Sequence, residues 1–155
     1  MSITRTAIVA TLQEAFERIP QVGAMWLEGA DAASRVDEYS DIDICCAVQA
    51  GFFPLVDAQA RGALAKLGTL DQATLLQDEP AQRHIVLHLQ DSSLHLLIDL
   101  CLYVGRGSDF TEGDEIEKPL VLFDRAGAVR YHPRAEPLEG LKRDERLCAL
   151  QEMAA

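Results

Sequence analysis

The sequence predicts an α/β or α+β domain in which a mixed β-sheet is flanked by helices. Three observations lead to this fold class: apolar residues recur at helical spacing near the N-terminus, several short segments alternate as strands do, and the two kinds of segment are interspersed. That order is not the one expected of a helical bundle or a β-sandwich. The chain has 155 residues, which suits one domain with a single core. We expect residues 1–135 to form this domain and residues 136–155 to form a C-terminal helical tail.

Two helices are predicted in the first half of the chain. Residues 4–19 carry apolar side chains at helical spacing, and Pro20 ends the segment. A second helix is opened by Gly51 and Pro54 and is stopped by Gly68. The apolar positions assigned to this second helix are Leu55, Val56, Leu64 and Leu67.

Two strands are predicted between these helices, over residues 22–29 and 41–48. A weaker strand is predicted after the second helix, over residues 69–76. The residues of the 41–48 segment alternate between two faces. One face carries Asp41, Asp43 and Cys45, and the other carries Ile42, Ile44, Cys46 and Val48. The second strand therefore presents two carboxylates on one side and apolar side chains on the other.

A hairpin is predicted from residues 83–90 and 93–103, with a tight turn at Asp91 and Ser92. Its strands place one apolar row made of Ile85, Leu87, Leu89, Leu94, Leu96, Ile98, Leu100 and Leu102. A two-residue turn would set His84 opposite Asp99.

Turn length decides which residues of this hairpin face each other. With two turn residues, His88 would also lie opposite His95. A four-residue loop would keep the same faces and move His84 opposite Cys101. We expect His84 to serve as a hydrogen-bond partner of Asp99 more readily than as a metal ligand.

After an acidic loop over residues 105–118, the sequence predicts a last pair of short strands. These strands cover residues 119–124 and 128–133, and the chain would turn between them at Ala126 and Gly127.

Composition and charge narrow the classes of function. The chain holds 14 Lys+Arg and 25 Asp+Glu, a net charge of −11, which disfavours a general nucleic-acid surface. It contains no apolar run long enough for a membrane span, and its N-terminus lacks the features of a secretory signal, so we expect a cytoplasmic protein. The four cysteines show no zinc-site spacing and are expected to be free thiols.

The most informative feature is a set of acids within apolar strands. Asp41 and Asp43 project from one face of a strand, roughly 6–7 Å apart. Asp99 lies in a very apolar segment, where an unpartnered carboxylate is costly. Carboxylates brought together repel each other, and a divalent cation removes that cost. Oxygen ligands favour Mg²⁺ or Mn²⁺ over zinc.

These residues resemble the signature of the nucleotidyltransferase superfamily that includes DNA polymerase beta. The signature has a Gly-small turn, a spacer, an Asp-apolar-Asp segment and a third acid on a later strand. Here Gly29 and Ala30 precede Asp41 and Asp43, and Asp99 supplies the third acid. The resemblance covers the first two-thirds of the chain and implies a nucleotidyltransferase-like fold.

The resemblance also implies a reaction and a set of roles. A nucleoside monophosphate, with ATP as the expected donor, would pass to a hydroxyl of a small molecule or a protein partner. Asp41, Asp43 and Asp99 would be the catalytic residues and would ligate Mg²⁺ or Mn²⁺. Gly29 and Ala30 would hold the triphosphate through backbone N–H groups.

Two departures from the signature support an alternative function. Ala30 has no hydroxyl to offer a phosphate, and Glu28 stands where the family has an apolar residue. A chain with these changes would also suit a catalytically lapsed module that binds or regulates a partner. Shorter relatives act with a separately encoded helical partner, so a homodimer or a helical partner protein is expected here. A metal phosphohydrolase fits less well, since it usually adds His ligands to its acids.

Overall fold

The computed structural model describes residues 2–29, 36–37, 39–105, 109–111 and 119–132. The elements within these ranges are α1 (Arg5–Glu17), β1 (Val22–Glu28), β2 (Ile42–Val48), α2 (Phe53–Ala65), β3 (Leu70–Glu79), β4 (Gln82–Leu89), β5 (Ile98–Tyr103), β6 (Asp109–Thr111), β7 (Leu120–Asp124) and β8 (Arg130–His132). The predicted tail over 136–155 lies outside the described residues, as does Ala30.

Six strands form one sheet in the order β3-β4-β5-β2-β1-β7. Within it β2 and β5 run parallel, and the other neighbouring strands run antiparallel. A connection between parallel neighbours must cross over, and α2, β3 and β4 make up that crossover here. The predicted fold class, a mixed sheet flanked by helices, is confirmed.

Both helices cover the same face of the sheet and form the main core with it. The side chain of Thr4 caps α1 by accepting a hydrogen bond from the Ala7 N–H at 3.1 Å. The helices contribute the buried side chains Ile8, Leu12, Phe16, Phe53, Val56, Ala60 and Leu64. The strands face them with Met25, Leu27, Ile42, Ile44, Cys46, Ile85, Leu87, Leu89, Ile98, Leu100 and Leu102. The predicted alternation of β2 is thereby confirmed, because its apolar row faces the helices.

The opposite face of the sheet carries a smaller core and the polar residues. Ala24, Trp26 and Cys45 are buried there, and Cys101 and Tyr103 pack against them. Asp43 and Asp99 belong to the same face, since each lies two residues before one of these cysteines. The period of two along β2 and β5 therefore separates the acids from the helical core.

The hairpin register with a two-residue turn is wrong, and the alternative register is correct. Gln82 pairs with Tyr103, so that His84 lies opposite Cys101 and not opposite Asp99. The strand β5 begins only at Ile98, and residues 90–97 form the connection. Local hydrogen bonds hold this longer connection: the Ser92 N–H donates to the Leu89 carbonyl at 3.0 Å, and the Leu96 N–H donates to the Ser93 carbonyl at 2.9 Å.

Two predicted apolar positions are corrected by their exposure. Leu94 is 83% exposed, because it lies in the connection before β5 and not in the strand. Leu55 is 42% exposed, because the buried face of α2 follows Val56, Ala60 and Leu64.

The last two strands do not pair with each other as predicted. The strand β7 joins the main sheet beside β1, and β8 pairs in parallel with β6. The carboxylate of Asp124 accepts hydrogen bonds from the Ala128 N–H at 2.8 Å and the Val129 N–H at 3.0 Å. These bonds hold the turn that follows β7, and β8 then pairs with β6.

A buried histidine links β4 to its neighbouring segments. His88 is 5% exposed, its Nδ1 lies 2.6 Å from Asp71 Oδ1, and its Nε2 lies 2.8 Å from the Ser93 carbonyl oxygen. Both partners are acceptors, so both ring nitrogens donate in the charged form. Burial alone would lower the pKa of His88, but the bonds to Ser93 and Asp71 and the charge of Asp71 outweigh it and raise the pKa above the usual 6.5.

This arrangement predicts that stability falls at high pH through His88. Because the pKa of His88 is raised in the folded state, its contribution to the free energy of unfolding is fully present below pH 6.5. That contribution is lost as the pH rises through the folded-state pKa. We expect His88→Ala to cost about 1–3 kcal/mol at pH 6, because it removes the two hydrogen bonds of this buried ring to Asp71 and Ser93, and to cost less at pH 9. Urea unfolding of both proteins at the two pH values measures this difference.

His95 provides the matched control, since it is exposed and lies in the connection before β5. His95→Ala removes an exposed edge contact with the ring of Tyr39 and should lower the unfolding free energy by a similar, small amount at both pH values. A cost of His88→Ala that is equal at pH 6 and pH 9 would contradict the charged form of this histidine.

Candidate functional site

The three acids lie together at one end of the parallel strand pair. In the register of β2 and β5, Asp43 pairs directly with Asp99. Asp41 comes one residue before β2, on the same face as Asp43. All three residues are partly buried. The pairing thus brings together acids that are distant in the sequence, as the acid pattern predicts.

Asp41 and Asp99 are close enough to influence each other electrostatically. The pKa of Asp41 is raised above its ordinary value of 3.8, first by burial and then by the negative charge of Asp99. The positive charge of Arg5 opposes this effect. An ionised Asp41 is therefore held at a cost that a cation would relieve.

Arg5 fixes the backbone that leads into β2. Its guanidinium donates hydrogen bonds to the carbonyl oxygen of Ser40 and, at 3.0 Å, to that of Asp41. Sequence reasoning did not identify this residue as part of the site. A signal was present, since a cation in the first turn of a helix opposes the helix dipole and needs another partner.

His84 contacts the third acid directly. Its Nε2 lies 2.6 Å from Asp99 Oδ1, although the two residues are not paired across β4 and β5. The predicted hydrogen bond between them is therefore confirmed, and it forms diagonally. Since an ionised carboxylate only accepts, the Nε2–H group donates and restrains one oxygen of Asp99.

Gly29 lies against the second acid. Its φ is +66°, a conformation that favours glycine, and a Cβ placed on it would collide with Oδ2 of Asp43. The glycine of the predicted signature therefore allows the backbone after β1 to approach the carboxylate. The next residue of the signature, Ala30, lies outside the described residues.

The carboxylate of Glu28 is restrained by a neighbouring side chain of the same strand, β1. The indole N–H of Trp26 donates to Glu28 Oε1 at 3.0 Å, and Glu28 pairs with Asp43 across β1 and β2. Trp26 itself is fully buried, and its indole N–H makes this polar contact. Glu28 thus adds a fourth carboxylate beside the three predicted acids.

The acids fit a hard divalent cation in the chemistry of their donors. Carboxylate oxygens are the ligands that Mg²⁺ and Mn²⁺ prefer, and the mutual repulsion of Asp41 and Asp99 is the cost such an ion removes. Among the residues that the structure describes, no three side chains of Asp, Glu, His or Cys converge closely enough to chelate an ion as they stand. The donors therefore suit a divalent cation in their chemistry, although the described side chains do not form a closed set of ligands.

Two cysteines lie directly beyond the acids on the same face. Cys45 pairs with Cys101, and both are free thiols. A hydrogen bond from one thiol to the other lowers the pKa of Cys101 to about 7, with burial opposing and the charge of His84 assisting. The same hydrogen bond and burial raise the pKa of Cys45. The prediction of free thiols is confirmed for these two and for Cys46, and Cys148 lies outside the described residues.

A cavity of about 660 Å³ opens at the opposite end of β2. Its walls include residues 47–50, Gly23 and Arg125. The guanidinium of Arg125 already donates to the carbonyl oxygens of Glu17 at 3.0 Å, Ile19 at 2.5 Å and Val22 at 3.0 Å. The cavity contains none of the predicted acids, so the candidate site and the cavity are separate features.

Comparisons with known proteins give similarity to solved structures but not to a sequence family. No family model and no curated protein matches the sequence. The chain is similar to a solved structure of Cid1 in complex with the UTP analog UMPNPP, with 15% identity and a TM-score of 0.38. The similarity covers 67% of this chain and 30% of that chain, so the protein spans about a third of Cid1's length. A likeness of this extent carries no argument about function, which therefore rests on the site itself.

Neither helix of the described chain has the length and hydropathy that a membrane span requires.

The electrostatics of Asp41 predict that its neutral isostere stabilises the metal-free protein. Because the pKa of Asp41 is raised in the folded state, its contribution to the free energy of unfolding is fully present below pH 3.8. That contribution is lost as the pH rises through the folded-state pKa. Asp41→Asn should therefore raise the thermal midpoint at pH 7 in the presence of a chelator, and the difference should shrink near pH 4.

Asp91→Asn is the matched control for this measurement, because Asp91 is exposed and lies outside the site. It should leave the midpoint unchanged at both pH values. A midpoint of Asp41→Asn at or below that of the unchanged protein at pH 7 would show that the carboxylate is not held at a cost.

Proposed function

We propose that this protein is a metal-dependent nucleotidyltransferase that moves a nucleoside monophosphate, AMP from ATP, to an acceptor hydroxyl. The observation that supports this proposal most directly is the pairing of Asp43 with Asp99 on parallel strands, with Asp41 beside them. Three carboxylates on one face of adjacent strands suit Mg²⁺ or Mn²⁺ and, through the ion, a triphosphate. The resemblance to the nucleotidyltransferase signature gives the same assignment.

In this proposal each residue has a limited role. Asp41, Asp43 and Asp99 would hold the divalent cation, which when bound neutralises phosphate charge and acidifies the acceptor hydroxyl. His84 restrains one oxygen of Asp99 and so orients the carboxylate. Gly29 keeps the backbone close to Asp43, where N–H groups after β1 would meet the triphosphate.

The acceptor belongs to the proposal only as a chemical class. A hydroxyl of a small molecule or of a protein partner fits a net charge of −11 better than a nucleic acid does. Residues of a second copy or of a helical partner protein would complete the acceptor site.

The first test is the thermal midpoint with Mg²⁺, with ATP and with both. At a hundredfold excess over Kd, ligand binding adds about 2.7 kcal/mol of stability, which raises the midpoint of a domain of this size by roughly 5–10 °C. We expect this increase only with both ligands present, and we expect Asp41→Ala to abolish it. Asp91→Ala, at an exposed acid outside the site, should retain it.

Turnover provides the second part of this test. Asp99→Asn preserves a polar side chain beside His84 and should abolish nucleotide transfer without unfolding the protein. Transfer at an unchanged rate in this variant would contradict the proposal. The absence of any Asp41-dependent shift at millimolar ligand would contradict the nucleotide site itself.

The second candidate is a lapsed module with the same fold that binds or regulates a partner. The specific observation in its favour is Glu28, whose carboxylate is restrained by Trp26 on the strand that leads into Gly29. A negative charge near the expected triphosphate opposes binding. The missing hydroxyl at Ala30 acts in the same direction.

Substitution of Ala30 by Ser separates the two candidates. A hydrogen bond to a charged group contributes about 1.5–3 kcal/mol, so Ala30→Ser should tighten ATP binding about tenfold or more where the rest of the pocket is functional. Titration calorimetry with Mg²⁺ and ATP measures the change. No binding by either protein would favour the lapsed module, and a pull-down for a partner would follow.

A further inference from the structure

Two thiols lie side by side on the strands that carry the acids. Cys45 of β2 pairs in register with Cys101 of β5, and the two side chains pack together on the face away from the helices. Each cysteine comes two residues after an acid of the candidate site, since Asp43 and Asp99 form the preceding pair on that face. The sequence predicts only that these cysteines are free thiols, because the contact between them follows from the strand pairing.

Their exposure differs in a way that matters for reactivity. Cys101 is partly exposed, whereas Cys45 is only 3% exposed. Cys46 follows Cys45 directly, but it points into the helical core and is fully buried. The chain therefore contains a reachable thiol, a second thiol in contact with it, and a third that is turned away from both.

We propose that Cys45 and Cys101 form a redox-sensitive dithiol, which a peroxide converts to an intramolecular disulfide that links β2 to β5. Neighbouring strands are about 4.8 Å apart, which lies within the Cα separation of about 4.4–6.8 Å that disulfides span. The partners are already in contact, so closure needs changes in side-chain rotamers and a small adjustment of the two strands.

The chemistry balances with hydrogen peroxide as the oxidant. The sulfur of Cys101 attacks one peroxide oxygen, which breaks the O–O bond and gives a sulfenic acid and one water molecule. The sulfur of Cys45 then attacks the sulfenic sulfur, and the hydroxyl leaves with the thiol proton as a second water. The two thiols together lose two electrons, which the peroxide accepts.

The bond would form immediately beyond the paired acids Asp43 and Asp99. It would also involve Cys101, which lies opposite His84 across β4 and β5. His84 in turn contacts Asp99. An oxidised protein would thus have a covalent link between the two strands that carry the candidate site. The proposal concerns the thiols alone and does not depend on nucleotide transfer.

The test treats the full-length folded protein with hydrogen peroxide, blocks the remaining thiols with an alkylating reagent, and maps the trypsin fragments by mass spectrometry. Cleavage after arginine puts Cys45 and Cys46 in residues 36–61 and Cys101 in residues 84–106. We expect these two fragments to be joined in most chains and to separate after reduction with dithiothreitol. Fragmentation between the adjacent cysteines assigns the bond to Cys45.

Variants provide matched controls. Cys46→Ser and Cys148→Ser should leave the joined fragments intact, and Cys101→Ser should abolish them. The mapping of the unchanged protein stands on its own, so a variant that fails to fold does not remove the test. Thiols that stay reduced, a sulfinic acid at Cys101 without a joined fragment, or a bond through Cys46 or Cys148 would each overturn the proposal.

Discussion

The parallel pairing of β2 with β5 is the constraint on which the candidate site depends. It sets Asp43 beside Asp99 on one face, while the adjacent pairs Ile42 with Ile98 and Ile44 with Leu100 are buried on the other face. Side chains alternate along a strand, so a slip of one residue in β5 would turn Asp99 toward the helices and expose apolar side chains. The cost of burying an unpartnered carboxylate in the core therefore helps to select the register that assembles the acids.

Assembling the acids creates an electrostatic cost that neighbouring groups only partly offset. Burial and the charge of Asp99 raise the pKa of Asp41, and Arg5 is the cation that opposes this rise. His84 donates to Asp99, and Trp26 donates to Glu28. Each of these contacts reaches the site from a different element, which suggests a fold organised to tolerate several carboxylates at one end of the sheet. The net charge of −11 makes this concentration of acids more costly at low ionic strength.

Most of the fold was predictable where local patterns determine it. The helix α1 has a capping residue, a regular apolar stripe and a proline after its end, and β1 and β2 show the expected bounds and faces. The acids were predictable for the same reason, since a carboxylate in an apolar strand needs an explanation. The His84 contact followed from the shared face of the hairpin, although its register was one of two alternatives.

The features that could not be predicted depend on contacts between distant segments. The turn after β4 contains no residue that fixes its length, and the hydrogen bonds of His88 and Ser92 extend it. The pairing of β7 with β1 requires a free sheet edge, which no local pattern of residues 119–124 reveals. Likewise, the contact between Cys45 and Cys101 follows only from the order of strands in the sheet.

The charged groups at the two ends of the sheet are in different electrostatic situations. Ligands of open α/β sheets usually bind at the carboxyl ends of parallel strands, which is where the cavity beside Arg125 lies. There, however, the guanidinium of Arg125 already donates hydrogen bonds to three backbone carbonyls, and these bonds stabilise the connection between α1 and β7. At the amino ends of β2 and β5 the situation is reversed, because burial and the charge of Asp99 raise the pKa of Asp41 and so disfavour its charged form. A bound cation would offset the cost of the charged form of Asp41. Arg125, in contrast, already has its hydrogen-bond partners within the protein. The acids therefore differ from the cavity in leaving an electrostatic cost that a bound cation would offset.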